Sequence, residues 1–331
     1  MKEEIGGFFE LWFKGNGEYH HKALKLNSGR NSFGHILKTK SIRKVYLPYY
    51  CCNALLEPVI ARKVAYEFYQ IDLSFEPQFT KKLSPDEYFV YINYFGICDA
   101  ITRSVADRFD RVIIDNCQAF FSLPFEGIDT FYSPRKFFGV SDGGYLYTSE
   151  DVGTGKICED VSYQRYLYLL KRIDTTAQDA YPLFLENEVC ISSLPQRSMS
   201  RITRFILSSI DYQWAKKKRN TNYSFLHKRL GGLNKLSLDG NEVSGPHVYP
   251  FLVDRDGLRE YLISNKIYVA TYWKEVMTRT HPSSVEHYFT KYLIPLPIDQ
   301  RYDRSDMLRI CKTIDGYMNR GRGESQRSSP R

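Results

Sequence analysis

The sequence has no apolar run long enough to cross a bilayer. Its longest uncharged apolar-rich stretch, YFVYINYFGIC at 88–98, is about half of what a membrane-spanning helix needs. It has no C-x-x-C pair and no cysteine–histidine spacing of the kind that holds zinc, which excludes a metal finger or a redox dithiol of that type. The seven cysteines, Cys51, Cys52, Cys98, Cys117, Cys158, Cys190 and Cys311, read as small hydrophobes in a reducing compartment. The opening segment MKEEIGGFFELWFKG is interrupted by acids and lacks the apolar core and cleavage site of an export signal. No repeat is visible, which excludes a solenoid, and no Gly-Lys-Ser/Thr follows any glycine-rich turn, which excludes a P-loop. A soluble cytoplasmic protein is expected.

One-signed charge is also scarce. Of the formal +8, the C-terminal NRGRGESQRSSPR contributes four arginines against one glutamate, leaving about +5 on the remaining residues. The cluster KKKRN at 216–220 reads as the solvated face of a helix, because no nucleic-acid reader motif accompanies it. No nucleic-acid partner and no membrane partner is expected. A mildly basic protein suits a small, acidic, phosphorylated ligand as well.

What the sequence does have is aromatic residues, 26 Tyr and 21 Phe, many of them in short β-type runs. KVYLPYY (44–50), VAYEFYQI (64–71), YFVYINYFG (88–96), RVIIDNCQAF (111–120), IDTFYS (128–133) and GGYLYTS (143–149) predict strands. CCNALLEPVIARK and ITRSVADRF, which lie between them, predict helices. This alternation implies an α/β fold with a mostly parallel central sheet flanked by helices. Beyond about residue 155, DVSYQRYLYLLKRI and a long segment from Ser200 to Gly231 predict helices. HVYPFLVD, RDGLREYLISNK, YLIPLPID and RSDMLRICKTIDGYM then predict a smaller α+β unit. The expected division is a large domain over 1–195, a helical connection and small domain over 196–318, and a disordered basic tail over 319–331.

In a parallel α/β sheet, ligands collect in the loops at the C-terminal ends of the strands, and three such loops carry suggestive residues. LNSGRNSFGHIL (26–37) places a glycine where a helix begins; backbone N–H groups there can bind phosphate, although an ordinary Ser N-cap looks the same in sequence. In VIIDNCQAF, Asp115 ends an apolar strand, where a carboxylate can cap the next helix or hold a protonated ring nitrogen. In FYSPRKFFGVSDGGYLY (131–147), Ser133 and Lys136 are spaced S-x-x-K ahead of Gly143 and Gly144. A lysine is a nucleophile only when neutral, which takes desolvation or a neighbouring cation such as Arg135. A phosphate cradle, a carboxylate for a ring nitrogen and a Schiff-base lysine are together what a protein supplies to pyridoxal phosphate.

The order and spacing of these loops resemble the DegT/DnrJ/EryC1/StrS aminotransferases, pyridoxal-phosphate enzymes of fold type I, over about residues 24 to 315. NSGRNSF is similar to the family's phosphate turn and YLPYYCC to its V-P-s-Y-T-F strand end. NYFGICD resembles its Y-G-x-x-x-D loop, IIDNCQAF its D-x-A-Q/H, SPRKFFGVSDGG its lysine loop, and HVYPFLVD its H-x-Y segment.

The resemblance implies that Lys136 forms the Schiff base and shuttles the proton, and that Asp115 pairs with the ring nitrogen. It implies that Gln118 bonds near the ring's phenolic oxygen, and that Ser133 with the backbone of Gly29, Arg30 and Asn31 holds the phosphate. It also implies a homodimer with a shared active site, moving an amino group from glutamate to a nucleotide-linked keto-sugar in polysaccharide or secondary-metabolite assembly.

Departures from the pattern are equally specific. Arg30 stands where a small hydroxyl residue is usual. Cys52 stands where an aromatic ring stacks on the cofactor, with Tyr50 as the expected substitute. QRSMSRI shows no equivalent of the asparagine that reaches the partner's phosphate. Relatives that dehydrate rather than transaminate carry histidine at the lysine position, and a silent, ligand-binding relative would have no reason to keep Lys136, Asp115, Gln118 and Ser133 together.

Overall fold

The computed structural model describes residues 5–149, 157–238 and 243–325. Apolar and aromatic strands alternate with amphipathic helices from the start. β1 (Leu24–Leu26) leads through Ser28 into α1 (Gly29–Thr39). Then follow β2 (Lys44–Pro48), α2 (Asn53–Ala61), β3 (Ala65–Ile71), β4 (Pro77–Gln78), β5 (Glu87–Ile92), α3 (Asp99–Arg108), β6 (Val112–Asp115), β7 (Asp129–Tyr132) and β8 (Gly144–Tyr147).

These strands form one eight-stranded sheet in the order β1-β8-β7-β6-β5-β2-β3-β4. The five strands from β7 to β3 run parallel, whereas β8 pairs antiparallel with both β7 and β1. The expected mostly parallel α/β sheet flanked by helices is therefore present. Strands β5, β6 and β7 are buried along nearly their whole length, as parallel strands covered on both faces must be. α1 packs over β7 and β8, and α2 packs against α1. Phe33 stacks on Phe131 with ring centroids 5.5 Å apart.

The second half contains α4 (Leu167–Asp174), α5 (Ala177–Ser193), α6 (Arg201–Ser208), α7 (Tyr212–Leu230), β9 (Val248–Leu252), α8 (Leu258–Ser264), α9 (Val276–Arg279), α10 (Val285–Tyr292), β10 (Leu293–Pro297) and α11 (Arg304–Ser325). β9 and β10 form an antiparallel pair. α7, α8 and α11 cover it through a core that includes Leu226, Leu258, Leu262, Met307 and Ile314.

Three features differ from the sequence reading. The segment 200–231, expected as one helix, is broken: Ser208 and Ser209 hydroxyls donate back to the carbonyls of Phe205 and Ile206, and Asp211 caps α7 by accepting from Trp214 N–H at 2.9 Å. α5 was not anticipated. It starts on a capping box made by Thr176 and Asp179, but it contains Pro182 and shows little contrast between its faces. The last helix runs on to Ser325, through the first part of the expected irregular tail; residues 326–331 lie outside the described residues.

Candidate functional site

The C-terminal ends of β2, β5, β6 and β7 open on one side of the sheet, and the chain beyond each of them carries the polar residues singled out above. Past β6, Asp115 is buried and accepts one hydrogen bond, from Cys117 N–H at 2.8 Å. Burial pushes its carboxyl above the usual range, opposed by the Lys136 charge and the Cys117 N–H. It forms no ion pair with a described residue, so a buried carboxylate stands here with the unbonded charge of Lys136 as its compensation.

Past β7, Ser133 is buried and precedes a short 3-10 turn, Pro134–Lys136. Lys136 is exposed at the end of that turn. Neither the Ser133 hydroxyl nor the Lys136 amine bonds to a described residue. The charge of Lys136 is felt by Asp115, Cys52, Cys117 and His247.

The glycine-containing turn lies against this loop. A Cβ on Gly29 would sit 2.8 Å from Cys117 Sγ and 3.7 Å from both Ser133 Cβ and the Tyr132 carbonyl. The start of α1, the end of β7 and the loop after β6 therefore meet at one point. Gly144 closes the arrangement from behind, since a Cβ there would fall 2.4 Å from the Ser28 carbonyl group and 2.8 Å from Gly29 N. Gly143, at φ +127°, donates its N–H to the Asn27 carbonyl at 2.8 Å. The glycine pair is required because backbone packs directly on backbone.

At the start of α1, the expected cradle is narrower than its sequence suggests. Asn31 N–H donates to Ser28 Oγ at 3.0 Å, and the Asn31 side chain donates to Asn27 Oδ1 at 2.7 Å. The ordinary N-cap is therefore present, and it leaves the Gly29 and Arg30 N–H groups at the positive end of the helix. Arg30 does not offer its guanidinium to an anion: Nε lies 2.5 Å from Glu57 Oε2, and Nη1 donates to the Ile191 carbonyl at 3.4 Å.

Cys52 keeps the position read for it, and Tyr50, expected as its aromatic substitute, turns into the core. Tyr50 is fully buried, with its ring 5.7 Å from Tyr94, 4.5 Å from Trp273 and 5.4 Å from Phe289. It belongs to the core between the two sheets. Cys52, at the start of α2, is the residue beside Lys136 and Asp115; burial raises its thiol pKa, with Lys136 lowering it and Asp115 raising it. Gln118 is buried and accepts from Phe95 N–H through Oε1 at 3.0 Å, which fixes which end of its amide is the carbonyl.

Two neighbours had no role in the sequence reading. His247, on the approach to β9, donates its backbone N–H to the Phe95 carbonyl at 2.7 Å, and its ring lies 5.3 Å from that of Phe137. Burial, then the charges of Arg219 and Lys136, hold its imidazole well below the usual pKa, so it is neutral at pH 7. Tyr272 Oη lies 3.4 Å from His247 Nδ1. The H-x-Y segment pointed toward His247; no sequence signal marked Tyr272.

These residues suit pyridoxal phosphate in the features the structure tests. A ring cation answers the unpaired Asp115, and an anion answers the helix N-terminus at Gly29, where a side chain would clash. The exposed amine of Lys136 acts electrostatically on Asp115.

No family model matches the chain, and no curated protein matches its sequence. Solved structures do. The sugar aminotransferase CalS13 from Micromonospora echinospora superposes with a TM-score of 0.61 at 15% identity, covering 90% of this chain and 88% of that one. A DegT DnrJ EryC1 StrS aminotransferase from Brucella abortus gives 0.59 at 16%, covering 89% and 85%. Spr1654 from Streptococcus pneumoniae in its PLP form gives 0.61 at 14%, covering 89% and 87%. The chain has the fold of these proteins over nearly its whole described length.

Proposed function

We propose that this protein is a pyridoxal 5′-phosphate-dependent aminotransferase acting on a nucleotide-linked keto-sugar, with glutamate as donor. The observation that carries the reading is the combination of a buried, unpaired Asp115 with an exposed, unbonded Lys136 at the mouth of the same sheet. The fold shared with sugar aminotransferases and the shape of the Gly29 turn support it.

The cofactor, when bound, supplies an electrophilic aldehyde and a ring that takes up electron density from the carbon being deprotonated. Asp115 would hold a protonated ring nitrogen, because its buried carboxylate would gain a cation there. Ser133 Oγ with the Gly29 and Arg30 N–H groups binds the phosphate. Gln118, its carbonyl tied to Phe95, presents its amide nitrogen as a donor. Cys52 fills the space where a ring would stack. Lys136, through its Nζ, would hold the cofactor and would carry a proton to and from the substrate carbon.

The division into a large unit over 1–195 and a small one over 196–318, a homodimer that shares its active sites, a cytoplasmic location and a role in polysaccharide or secondary-metabolite synthesis belong to the same proposal. Presence of lysine rather than histidine at 136 favours transamination over dehydration.

An absorbance scan of the protein mixed with pyridoxal phosphate tests the cofactor. A band near the visible edge is expected, and none in Lys136→Ala; a wild-type protein that forms no band overturns the reading. Pyridoxamine-loaded protein offered nucleotide-linked keto-sugars should regain the band. Recovery with small α-keto acids but with no keto-sugar would overturn the substrate class alone.

A further inference from the structure

Arg219 stands in the run KKKRN, whose other side chains face outward to varying degrees, yet it is only 1% exposed. Its guanidinium makes four hydrogen bonds, all to carbonyl oxygens. Nε donates to Gln300 Oε1 at 2.9 Å, Nη1 to the carbonyls of Pro246 at 3.0 Å and His247 at 3.1 Å, and Nη2 to that of Phe137 at 3.3 Å. The guanidinium carbon lies 4.5 Å from the Phe137 ring centroid. Gln300 Nε2 donates to the same Phe137 carbonyl at 2.8 Å.

No carboxylate of a described residue pairs with Arg219. Asp299, whose charge acts on it, is held by Arg301 at 2.7 and 2.9 Å. Burial lowers the Arg219 pKa to about 10, so the group stays charged at pH 7. Desolvating a guanidinium without a counter-ion is costly, and an apolar side chain of similar volume would fill the space more cheaply.

What the cation does and an apolar residue cannot is join three segments remote in sequence. Phe137 directly follows Lys136; Pro246 and His247 lead into β9; Gln300 follows β10. The chain of bonds continues from His247 N–H to the Phe95 carbonyl and from Phe95 N–H to Gln118 Oε1. The lysine loop of the large sheet and the small unit are therefore tied through one side chain.

We propose that Arg219 is a positioning residue for Lys136: its guanidinium fixes the Phe137 carbonyl, and with it the backbone that carries the lysine, against the His247 segment of the small unit. The inference rests on the reading of Lys136 given above, and its test has one arm that needs no cofactor.

In that arm, hydrogen exchange is measured on the cofactor-free full chain and on Arg219→Met and Arg219→Lys. Amides over 135–140 and 247–248 should exchange about tenfold faster or more in Arg219→Met, with those of β6 unchanged. Arg219→Lys, a point charge without the planar fork, should recover little of the protection. Unchanged exchange in both segments overturns the proposal.

In the second arm, the rate of band formation with pyridoxal phosphate should fall about tenfold in Arg219→Ala and recover when millimolar guanidinium is added. An undiminished rate, or a loss that guanidinium does not restore, also overturns it. If neither the Met nor the Ala variant folds, Gln300→Ala, which removes one donor on Phe137 and one acceptor of Arg219, should show the same pattern at about threefold. Absence of any wild-type band would remove the cofactor reading, while the exchange arm would still decide whether Arg219 holds the loop.

Discussion

The two ends of the large sheet treat charge in opposite ways. At the N-terminal end of the strands, three cations each have an acid. Lys40 lies 2.7 Å from Asp129 at the start of β7, Arg43 bonds both Asp86 and Glu87 beside β5, and Lys44 lies 2.7 Å from Glu67 across β2 and β3. At the C-terminal end, Asp115 has one backbone N–H, Lys136 has no bonded partner among the described residues, and Ser133 has none either. At the first end these charges are paired within the chain; at the second, the proposed ligand, with its cation and its anion, would supply what the described residues do not. Unsatisfied polarity concentrated on one side of one sheet is therefore a guide to function that total charge does not give.

The largest expected effect is at the C-terminal end. Asp115→Asn should lower turnover of the cofactor-loaded protein by about 10³-fold, about 4 kcal/mol of barrier, because nothing else there can keep a ring nitrogen protonated. Steady-state rates against an unchanged Lys136 band would show it, and wild-type-like rates would place the functional carboxylate elsewhere. At the N-terminal end, Lys40→Met strands Asp129, which is 1% exposed, and should cost about 3 kcal/mol of stability. Denaturant titration should show this loss with the affinity for pyridoxal phosphate unaltered.

Gly144→Ala should cost about 2 kcal/mol and weaken cofactor binding as well, since its Cβ presses on the Ser28–Gly29 backbone. A variant that loses stability but keeps affinity would separate the glycine pair from the cradle.

A smaller effect concerns pH. Burial raises the Asp115 pKa in the folded, cofactor-free protein, so the native state holds more protons than the unfolded chain between the ordinary carboxylate pKa and the raised one. Stability from this group is thus present below the unfolded value and is lost as pH rises through the folded value. Cofactor-free Asp115→Asn should lack that loss and be the more stable protein at pH 7, with the advantage vanishing near pH 3. Smallest of all, Tyr50→Phe should change stability by about 1 kcal/mol or less and leave the cofactor band untouched, because the buried Tyr50 ring packs with Tyr94, Trp273 and Phe289.

Much of this was legible along the chain. Six strand segments and the intervening helices follow from apolar period and turn residues, which are local properties. Ser133, Lys136 and Asp115 could be singled out because each ends or follows a strand. The break at Ser209–Asp211 was hidden because serine and aspartate are tolerated within a helix and favoured at its ends alike. Tyr50 and Cys52 could not be told apart, since neighbouring residues in a loop point wherever tertiary packing sends them.

By itself, then, the sequence determined the α/β alternation, the glycine pair and the positions of the lysine, serine and carboxylate, because each depends on residues within one or two turns of chain. Only the tertiary structure decided that Arg219 is buried while the adjacent lysines of KKKRN are not. The carbonyls that hold it come from Phe137, Pro246 and His247, the last two 27 and 28 residues and the first 82 residues away, and no local pattern encodes a cation's solvation by groups so distant. The tertiary structure also decided that Arg30 turns to Glu57 and that Asn31 is already capped. Whether a polar group is satisfied by its own chain is a property of the folded surroundings, and it is this property that separates the two ends of the sheet.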